Sequence, residues 1–274
     1  MPTARFSATV VTYHSDPGLL GRALSSLSRA VIEARSAGLL SEATLYVVDN
    51  GPPDSVAAIE AAIRSYDPAA GRVEMVHGHG NVGYGRANNL VLARLDSDFH
   101  LIMNPDVELA PDALKAALQA MRDDPQLGMI APAVRGAAGE RQYLCKRYPS
   151  VWVLFLRGFA PGALRRLFAK SLDAYEMRDL APDEPAPVPL ASGCFMLVRT
   201  ALFARIRGFD PRFFMYFEDY DLSLRIGRDA KVVYSPRARI VHHGGEASRK
   251  GWRHVVWFLR SAWRFFATHG WKIT

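Results

Sequence analysis

The hydrophobic pattern of the first 130 residues alternates between two periods. Short runs rich in aliphatic and aromatic residues end at turn residues, which is typical of buried strands. Longer segments between them place apolar residues three and four positions apart, which predicts helices that pack one face on a core. This alternation predicts a mainly parallel sheet with helices on both faces. The predicted strands cover residues 6–13, 44–48, 73–77 and 99–103, and the predicted helices cover 20–34, 56–66, 87–95 and 111–121.

Beyond residue 135 the alternation becomes less regular. An apolar segment, 151–159, and a basic segment, 164–170, precede a loop, 182–189, whose four prolines predict no regular structure. Regular sequence then resumes, and we expect a strand at 193–199, a helix opened by the polar cluster within 214–225, and two further strands at 231–234 and 239–241.

A different pattern fills the C-terminal tail. One helical face is apolar and aromatic and a stripe of arginines lies beside it, which is what a helix in the membrane interface needs. A helix docked on the domain is the alternative, because Phe258 and Phe265 fall off the apolar face. That face comprises Trp252, Val255, Val256, Leu259, Trp263 and Phe266, and the stripe comprises Arg253, Arg260 and Arg264.

The formal net charge of +7 makes phosphates, nucleic acid or an anionic membrane surface compatible partners. Nucleic acid is not expected, because the basic residues of the tail alternate with apolar ones instead of forming a broad stripe. Cys145 and Cys194 are too few for a disulfide framework, which favours a reducing compartment. Without a signal peptide or a bilayer-spanning apolar run, we expect a cytoplasmic protein, peripheral on the cytoplasmic face of the inner membrane.

A carboxylate follows the fourth predicted strand directly. Asn104 and Pro105 end the strand and leave Asp106 at its carboxyl edge, where open α/β sheets bind their ligands. Carboxylate oxygens are the ligands that hard divalent cations prefer, and such a cation can hold a diphosphate. A turn that only caps the following helix explains the same residues. Both interpretations stay open on this stretch alone.

Three acidic residues, Glu218, Asp219 and Asp221, fall in the first turn of the later predicted helix. Complementarity to the helix dipole explains them without any chemistry. Repulsion among the three carboxylates would raise their pKa values. Arg225, about one turn later, would act against that repulsion by holding the cluster ionised.

A glycine-rich stretch, GHGNVG at 78–83, matches the dinucleotide fingerprint G-x-G-x-x-G. That fingerprint normally follows the first strand of its unit, and an acidic residue normally ends the next strand. Here the stretch follows the third strand, and Asp96 and Asp98 precede the next strand instead of ending it. A nicotinamide or flavin enzyme is therefore not expected.

Read together, the strand ends resemble an inverting glycosyltransferase of family 2, in its rhamnosyltransferase-like branch. The segments that carry the resemblance are TYHSD, VVDNGPPDS, GNVGYGRANN, MNPDVEL, ASGCFMLVR, GFDPRFFMYFEDYDLSLR and VHHGGEAS, in this order. The resemblance implies a GT-A fold, an α/β domain with a Rossmann-like, mainly parallel mixed sheet flanked by helices. It implies a domain at 1–247, with a nucleotide-sugar-binding half at 1–134 and an acceptor-side half at 135–247, followed by a basic amphipathic helix at 248–274.

The resemblance also implies roles for individual residues. Asp219 would be the general base, with Glu218 beside it. Asp106 would be the main ligand of Mg²⁺ or Mn²⁺, with His242 completing the metal site, while His243 would point to the opposite face of the strand. Thr12, Tyr13, Asp49, Gly83, Ala87 and Asn88 would lie along the nucleotide, and Asn104 would contact sugar or ribose. Two positions depart from the family pattern: Asn104 replaces the first carboxylate of D-x-D, and His14 stands where Asn is frequent.

The implied reaction is transfer of a sugar from a nucleotide diphosphate donor, with L-rhamnose from dTDP-L-rhamnose as the best candidate. The implied acceptor is a hydroxyl of a lipid-linked or cell-surface glycan, received at the inner leaflet by the segment 147–170 together with the tail helix. A non-catalytic nucleotide-sugar-binding or membrane-associated scaffold on the same fold is the alternative from another functional class.

Overall fold

A mixed β-sheet forms the centre of the protein in the computed structural model, which describes residues 3–244 and 251–274. Its strands, within these residues, are β1 (Ala4–Thr12), β2 (Leu40–Asp49), β3 (Arg72–Val76), β4 (Phe99–Met103), β5 (Val107–Leu109), β6 (Leu127–Arg135), β7 (Arg141–Gln142), β8 (Ala186–Pro187), β9 (Phe195–Arg199) and β10 (Lys231–His242). Their order across the sheet is β3-β2-β1-β4-β9-β6-β10-β5, with β7 beside β6 and β8 beside β10.

The predicted parallel sheet is confirmed for the first half of the chain. Strand β1 pairs in parallel with both β2 and β4, and β3 continues the parallel set beyond β2. Strand β9 then runs antiparallel between β4 and β6, so the sheet becomes mixed at this point. The predicted fold class, a mainly parallel mixed sheet flanked by helices, is therefore confirmed.

Helices cover both faces of the sheet. Because successive side chains of a strand point to opposite faces, Leu101 of β4 packs with Leu24 and Leu118 on one side, and Ile102 packs with Phe203 and Leu222 on the other. The helices, within the described residues, are α1 (Pro17–Ser36), α2 (Val56–Ile63), α3 (Tyr84–Asn89), α4 (Ala113–Asp123), α5 (Val151–Gly158), α6 (Gly162–Leu167), α7 (Ala169–Tyr175), α8 (Thr200–Arg205), α9 (Glu218–Ile226) and α10 (Trp252–His269).

The helix expected at 87–95 differs from the observed one. Helix α3 begins three residues earlier, at Tyr84, and ends at Asn89, and a separate 3₁₀ turn covers Leu92–Arg94. The early start follows from Gly83, which lies in the left-handed region with a φ of 88° and turns the chain into the helix. A Cβ on Gly83 would lie only 2.3 Å from the Phe214 carbonyl oxygen, so this position also needs glycine for close approach.

The proline-rich loop 182–189 contains a short strand, contrary to the expectation of no regular structure. Strand β8 pairs antiparallel with β10 through Ala186 and Pro187, and Val188 N donates to Val232 O at 2.9 Å. Proline is compatible with this edge position because the hydrogen bond to β10 is made by the amide of Val188, and Pro187 needs no amide of its own.

The two strands expected at 231–234 and 239–241 are parts of one strand, β10. Its register against β6 shifts between Ser235 and Arg239, which leaves the residues between them, including Pro236, outside the ladder. Since β10 pairs with both β6 and β5, the halves proposed at 1–134 and 135–247 share one sheet. The division remains a prediction about ligand binding, and its boundary at 247/248 lies outside the described residues.

The tail helix α10 docks on the domain, but through a different face from the apolar one expected. Phe265, Phe266 and Ala262 are buried in a cluster that also contains Phe217 of the main domain, and Phe258 packs against it. Most of the expected face stays exposed: Trp252, Trp263 and Leu259 are 74%, 62% and 53% accessible. No helix within the described residues combines the length and apolarity needed to cross a bilayer.

Candidate functional site

Three strands of the parallel block end at the same edge of the sheet and bring together residues far apart in sequence. Thr12 at the end of β1 lies beside Asp49 at the end of β2 in the ladder. A cavity of about 330 Å³ opens at this edge. Of the predicted site residues, Tyr13, Asn104 and Asp106 line this cavity.

The remaining predicted nucleotide residues lie under the cavity or beside it. Asp49 is only 2% accessible, and its carboxylate accepts from Gly51 N at 2.8 Å, Ser55 Oγ at 2.6 Å and, more weakly, Thr12 Oγ1 at 3.4 Å. Ala87 and Asn88 are fully buried. These residues fix the loops that surround the cavity, and the structure does not bring Ala87 or Asn88 to its wall.

An asparagine pair that sequence reasoning missed joins the β2 end to the glycine loop. Asn50 Nδ2 donates to Asn81 Oδ1 at 3.1 Å, and Asn50 Oδ1 accepts from Val82 N at 3.1 Å. Asn81 Oδ1 also accepts from Gly83 N at 3.0 Å. Both asparagines line the cavity. The signal available in sequence was their position next to turn glycines, which is too common to point to a site.

Asp106, which lines the cavity, lies next to His242, which does not. His242 Nε2 lies 3.6 Å from Asp106 Oδ1, and that oxygen is buried with no hydrogen-bond partner. Burial lowers the pKa of His242 although the Asp106 charge raises it, so the imidazole is kept neutral. His243, which follows the end of β10, contacts Glu108 instead, with Nε2 2.8 Å from Oε1.

Gln142 determines which nitrogen of His242 faces Asp106. Gln142 Nε2 donates to the His242 carbonyl at 3.2 Å, which places its Oε1 3.0 Å from His242 Nδ1. An amide oxygen accepts only, so Nδ1 carries the proton and Nε2 presents its lone pair toward Asp106. Within residues 3–244 and 251–274, no three His, Cys, Asp or Glu side chains lie close enough together to hold a metal by themselves.

Asp106 and His242 nevertheless fit a divalent cation that shares its ligands with a substrate. Mg²⁺ and Mn²⁺ are frequently held by one or two protein side chains, with phosphate oxygens and water completing the shell. The unpartnered Asp106 oxygen and the neutral, oriented imidazole supply two such ligands. A cation held by these two side chains would be next to the cavity, because Asp106 lines it.

Glu218 and Asp219 open helix α9 immediately after a strained turn. Tyr216 and Phe217 occupy the left-handed region with φ of 70° and 65°, a conformation that is costly for large side chains. Asp219 accepts hydrogen bonds from Gly193 N at 3.0 Å and from its neighbour Tyr220 N at 2.9 Å. The Glu218 side chain is buried, and its Oε2 has no partner.

Burial raises the pKa of both carboxyl groups at the start of α9. It raises the pKa of Asp219 from 3.8 to about 6, with the backbone donors acting in the opposite direction. It raises the pKa of Glu218 further, and the neighbouring Asp219 charge adds to that effect. Near neutral pH the pair therefore holds an ionised Asp219 beside a protonated Glu218.

Asp221 does not belong to this pair, and neither does Arg225. Arg225 Nε donates to Asp221 Oδ2 at 2.7 Å, and His269 Nε2 donates to Asp221 Oδ1 at 2.8 Å. Both Asp221 oxygens are thereby engaged in the interior. The expected contribution of Asp221 to the pKa of Asp219 is not among its causes, which are burial and backbone hydrogen bonds.

The backbone at 193–194 connects the two carboxylate regions. Gly193 N donates to Asp219, and Cys194 O accepts from Asn104 N at 3.0 Å. Tyr84, a cavity-lining residue that sequence reasoning missed, donates its hydroxyl to Gly193 O at 2.8 Å. Asp106 thus lines the cavity, whereas Asp219 and Glu218 do not; Asp219 is connected to the cavity through Gly193 and the cavity-lining Tyr84.

A comparison with known families decides the class of this site. The family model of glycosyl transferase family 2 matches residues 7–206, most of the chain. The protein belongs to glycosyl transferase family 2. This membership favours an enzyme over the non-catalytic scaffold considered above, and the protein is a glycosyltransferase.

Relatives of this family 2 glycosyltransferase include rhamnosyltransferases. The N-acetylglucosaminyl-diphospho-decaprenol L-rhamnosyltransferase of Mycobacterium tuberculosis is 31% identical over 95% of this chain and 84% of its own length. Rhamnosyltransferase WbbL of Escherichia coli K12 is 27% identical over 69% of this chain and 71% of its own length. The glycosyltransferase therefore falls in the rhamnosyltransferase-like branch.

A solved structure supports the fold of this family 2 enzyme. GalNAc-T7, crystallised with UDP, GalNAc and Mn²⁺, superposes with a TM-score of 0.62 at 15% identity over 88% of this chain. The chain spans 43% of the length of that GalNAc-T7 chain. The likeness confirms the predicted GT-A fold.

Proposed function

We propose that this glycosyltransferase moves L-rhamnose from dTDP-L-rhamnose to a hydroxyl of a lipid-linked glycan, with inversion at the anomeric carbon. The observation that carries the proposal is that Asp106 lines the cavity while Asp219 is linked to the same cavity through Gly193 and the cavity-lining Tyr84. Two rhamnosyltransferase relatives support the sugar, and the name of one of them specifies L-rhamnose. The decaprenol-linked substrate in the name of one relative supports a diphospholipid acceptor.

Asp219 would act as the general base in a single displacement. Its carboxylate takes the proton of the acceptor hydroxyl while the hydroxyl oxygen bonds to the anomeric carbon, and the bond from that carbon to the diphosphate oxygen breaks on the opposite face. A pKa raised toward neutrality suits this role, because the group is ionised yet basic at working pH. Because Glu218 is protonated, no second negative charge lies beside Asp219.

The nucleoside would lie at the β1–β2 edge. Tyr13 and Asn50 line the cavity and provide an aromatic ring and an amide that the nucleoside could contact. Asp49 Oδ2 accepts one hydrogen bond, from Ser55, and a carboxylate oxygen accepts two, so one position remains for a pyrimidine imide N–H. Thr12 and Gly83 would shape the loops beside the base, and Asn104 would contact the ribose or sugar.

Asp106 and His242 would hold the divalent cation, either Mg²⁺ or Mn²⁺. When bound, such a cation neutralises charge on the departing diphosphate. The Mn²⁺ in the GalNAc-T7 crystal supports this requirement. Gln142 would orient the His242 ring for coordination, since metal-binding histidines usually donate their second N–H to a fixed acceptor.

Replacing Gln142 with alanine is expected to weaken Mn²⁺ binding by about 10- to 100-fold, the usual cost of losing the acceptor behind a metal-binding histidine. The dissociation constant is measured by electron paramagnetic resonance with dTDP present, so no turnover is required. Gln119→Ala is the matched control, because Gln119 makes an exposed hydrogen bond to Asp123 on α4. Equal Mn²⁺ affinity in the Gln142 variant and the control would contradict the assignment.

The pH dependence of kcat/KM is expected to show an acidic limb near 6. Asp219 must be ionised to accept the proton, so activity is low below its pKa of about 6 and rises as pH increases through that value. An aspartate with an ordinary pKa would place the limb about two pH units lower. Initial rates between pH 4.5 and 8 in buffers of constant ionic strength measure the limb, and full activity at pH 4.5 would exclude a buried base.

A binding screen followed by a transfer assay tests the proposed function. The purified protein is melted with dTDP-L-rhamnose, UDP sugars, GDP sugars and NAD(P)H, each with and without Mn²⁺, because a ligand that binds only the folded state raises the melting temperature. We expect a Mn²⁺-dependent shift with dTDP-L-rhamnose. Transfer to an N-acetylglucosaminyl-diphospholipid then identifies the product. A shift with NAD(P)H alone would overturn the transferase assignment.

Contact with the cytoplasmic leaflet is a further part of the proposal. Trp252, Leu259 and Trp263 are exposed on α10, and Arg253 and Arg260 lie beside them, a combination that suits an anionic lipid surface. The helix would hold the enzyme where a lipid-linked acceptor presents its glycan, with the segment 147–170 on the acceptor side.

Replacing Trp252 and Trp263 together by alanine is expected to reduce binding to phosphatidylglycerol-containing vesicles by about tenfold or more, since burying one large apolar side chain contributes roughly 1.5 to 3 kcal/mol. Co-sedimentation with anionic and neutral vesicles measures the loss. Leu90→Ala, which removes an exposed leucine from the sheet domain, is the control. Undiminished sedimentation of the double variant would exclude this face as the contact.

A further inference from the structure

Helix α10 lies along the residues that lead into the catalytic carboxylates. Ser261 Oγ donates to Met215 O at 2.8 Å, and a 2.8 Å hydrogen bond joins Tyr216 OH to His254 Nδ1. The rings of Trp257 and Phe214 pack with their centroids 4.9 Å apart. The inner face of α10 therefore contacts three consecutive residues of the segment 212–217, which ends directly before Glu218.

A second set of contacts reaches the ends of that segment. Arg264 donates to the carbonyl of Arg212 at its beginning. At its far end, His269 reaches Asp221 in the first turn of α9, where both side chains are almost fully buried, 4% and 1% accessible. Helix α10 thus holds the segment 212–217 from its first residue to the helix that follows it.

The segment 212–217 also forms part of the cavity. Met215 lines the cavity, and the carbonyl of Phe214 accepts from Tyr84 N at 3.2 Å on the donor side. The segment passes through the left-handed conformations of Tyr216 and Phe217 before it reaches Glu218. Such conformations persist only where surrounding contacts hold them, and those contacts come in large part from α10.

We propose that α10 is a working part of the active site and not only a membrane anchor. Its inner face holds the segment 212–217 in the strained conformation that closes the cavity with Met215 and orients Asp219. Ser261 and His269 are the positioning residues, because each donates a partly buried hydrogen bond to this region. The inference rests on the proposed function only for the role of Asp219, since the cavity wall is independent of the sugar.

Variants on the two faces of α10 test the proposal in the full-length protein. Ser261→Ala and His269→Ala alter the inner face, His269→Gln keeps a donor for Asp221, and Leu259→Ala and Trp263→Ala alter the exposed outer face. Three properties are measured for each variant. They are amide hydrogen exchange at residues 212–221, the dissociation constant of dTDP with Mn²⁺, and kcat and KM with a short water-soluble acceptor.

We expect the inner-face variants to speed amide exchange at 212–221 and to weaken dTDP binding about three- to tenfold, the worth of one hydrogen bond. His269→Gln should restore most of the loss, and the outer-face variants should match the wild type in all three measurements. Ser261→Ala removes a single oxygen, so it remains informative even where His269→Ala fails to fold.

Wild-type exchange and wild-type dTDP affinity in both inner-face variants would overturn the proposal, as would equal losses in the outer-face variants. Failure of the proposed rhamnosyl transfer would look different. The contrast between the two faces in exchange would then persist, while no variant, nor the wild type, would consume dTDP-L-rhamnose.

Discussion

Asp219→Asn is expected to lower kcat by about 10²- to 10⁴-fold, the contribution of a general base, while dTDP affinity stays within about twofold of wild type. Asparagine keeps the shape of the side chain, and its single amide oxygen can still accept from Gly193 N, although the hydrogen bond from Tyr220 N is lost. What it cannot do is take the proton of the acceptor hydroxyl. Single-turnover transfer of radiolabelled rhamnose, together with calorimetric titration of dTDP, separates the two quantities.

Glu218→Gln is the informative control for this result. Glu218 is already protonated near neutral pH, so an amide in its place leaves the charge of the pair unchanged and turnover within about tenfold. Asp229→Asn, at an exposed ion pair with Arg205, controls for loss of an aspartate elsewhere. A large loss in Glu218→Gln and a small one in Asp219→Asn would assign the base to Glu218 instead.

Asp106→Ala is expected to abolish measurable Mn²⁺ binding and to lower kcat/KM by about 10³-fold, since stabilising charge on a leaving diphosphate is worth several kcal/mol. The Asp106 oxygen without a hydrogen-bond partner is the reason for the prediction. A carboxylate that only capped a turn would have its oxygens engaged by backbone N–H groups. Mn²⁺ titration followed by water proton relaxation measures the binding, with and without dTDP.

Asp112→Asn is the matched control for the Asp106 variant. Asp112 lies beyond strand β5, directly before helix α4, and pairs with Arg239 at the surface, where its contribution is small. Full Mn²⁺ binding in Asp106→Ala would remove this residue from the metal site. It would also favour the simple turn that the sequence allowed at Asn104 and Pro105.

The central part of the fold followed from local pattern alone. Strand β4 ends where the sequence places Asn104, and helix α9 begins at Glu218 as the acidic first turn indicated. Both features are local, because a strand stops at proline and a helix start favours negative charge. His242 ends β10 and His243 follows it, and the two histidines contact different partners, Asp106 and Glu108.

The contacts that complete the site could not be predicted because they join distant parts of the chain. Gln142 is 100 residues from His242, and Tyr84 is 109 residues from Gly193. No periodicity within either segment indicates these pairs. Likewise, the dominant cause of the raised Asp219 pKa is burial by the folded chain, whereas the sequence suggested repulsion by neighbouring carboxylates.

Helical periodicity also could not identify the docking face of α10. The helix has apolar residues on more than one side, and the stripe with the tryptophans is the more regular one. The structure buries Phe265 and Ala262 instead, because these residues meet Phe217 and complete an aromatic cluster. The choice between the faces depends on a partner surface 40 or more residues away in the sequence.

The two-sided packing of α10 has a thermodynamic consequence for the time the enzyme spends on a membrane. One face of α10 would hold the nucleotide cavity and the other would contact lipid. If nucleotide binding changes the affinity for the membrane, membrane binding must change the affinity for the nucleotide by the same factor. If that coupling is favourable, an enzyme loaded with donor dwells longer on the bilayer than an empty one. Release of the nucleotide after transfer would then favour dissociation of the enzyme from the bilayer. The time that the enzyme stays on the bilayer would therefore depend on the step of the catalytic cycle.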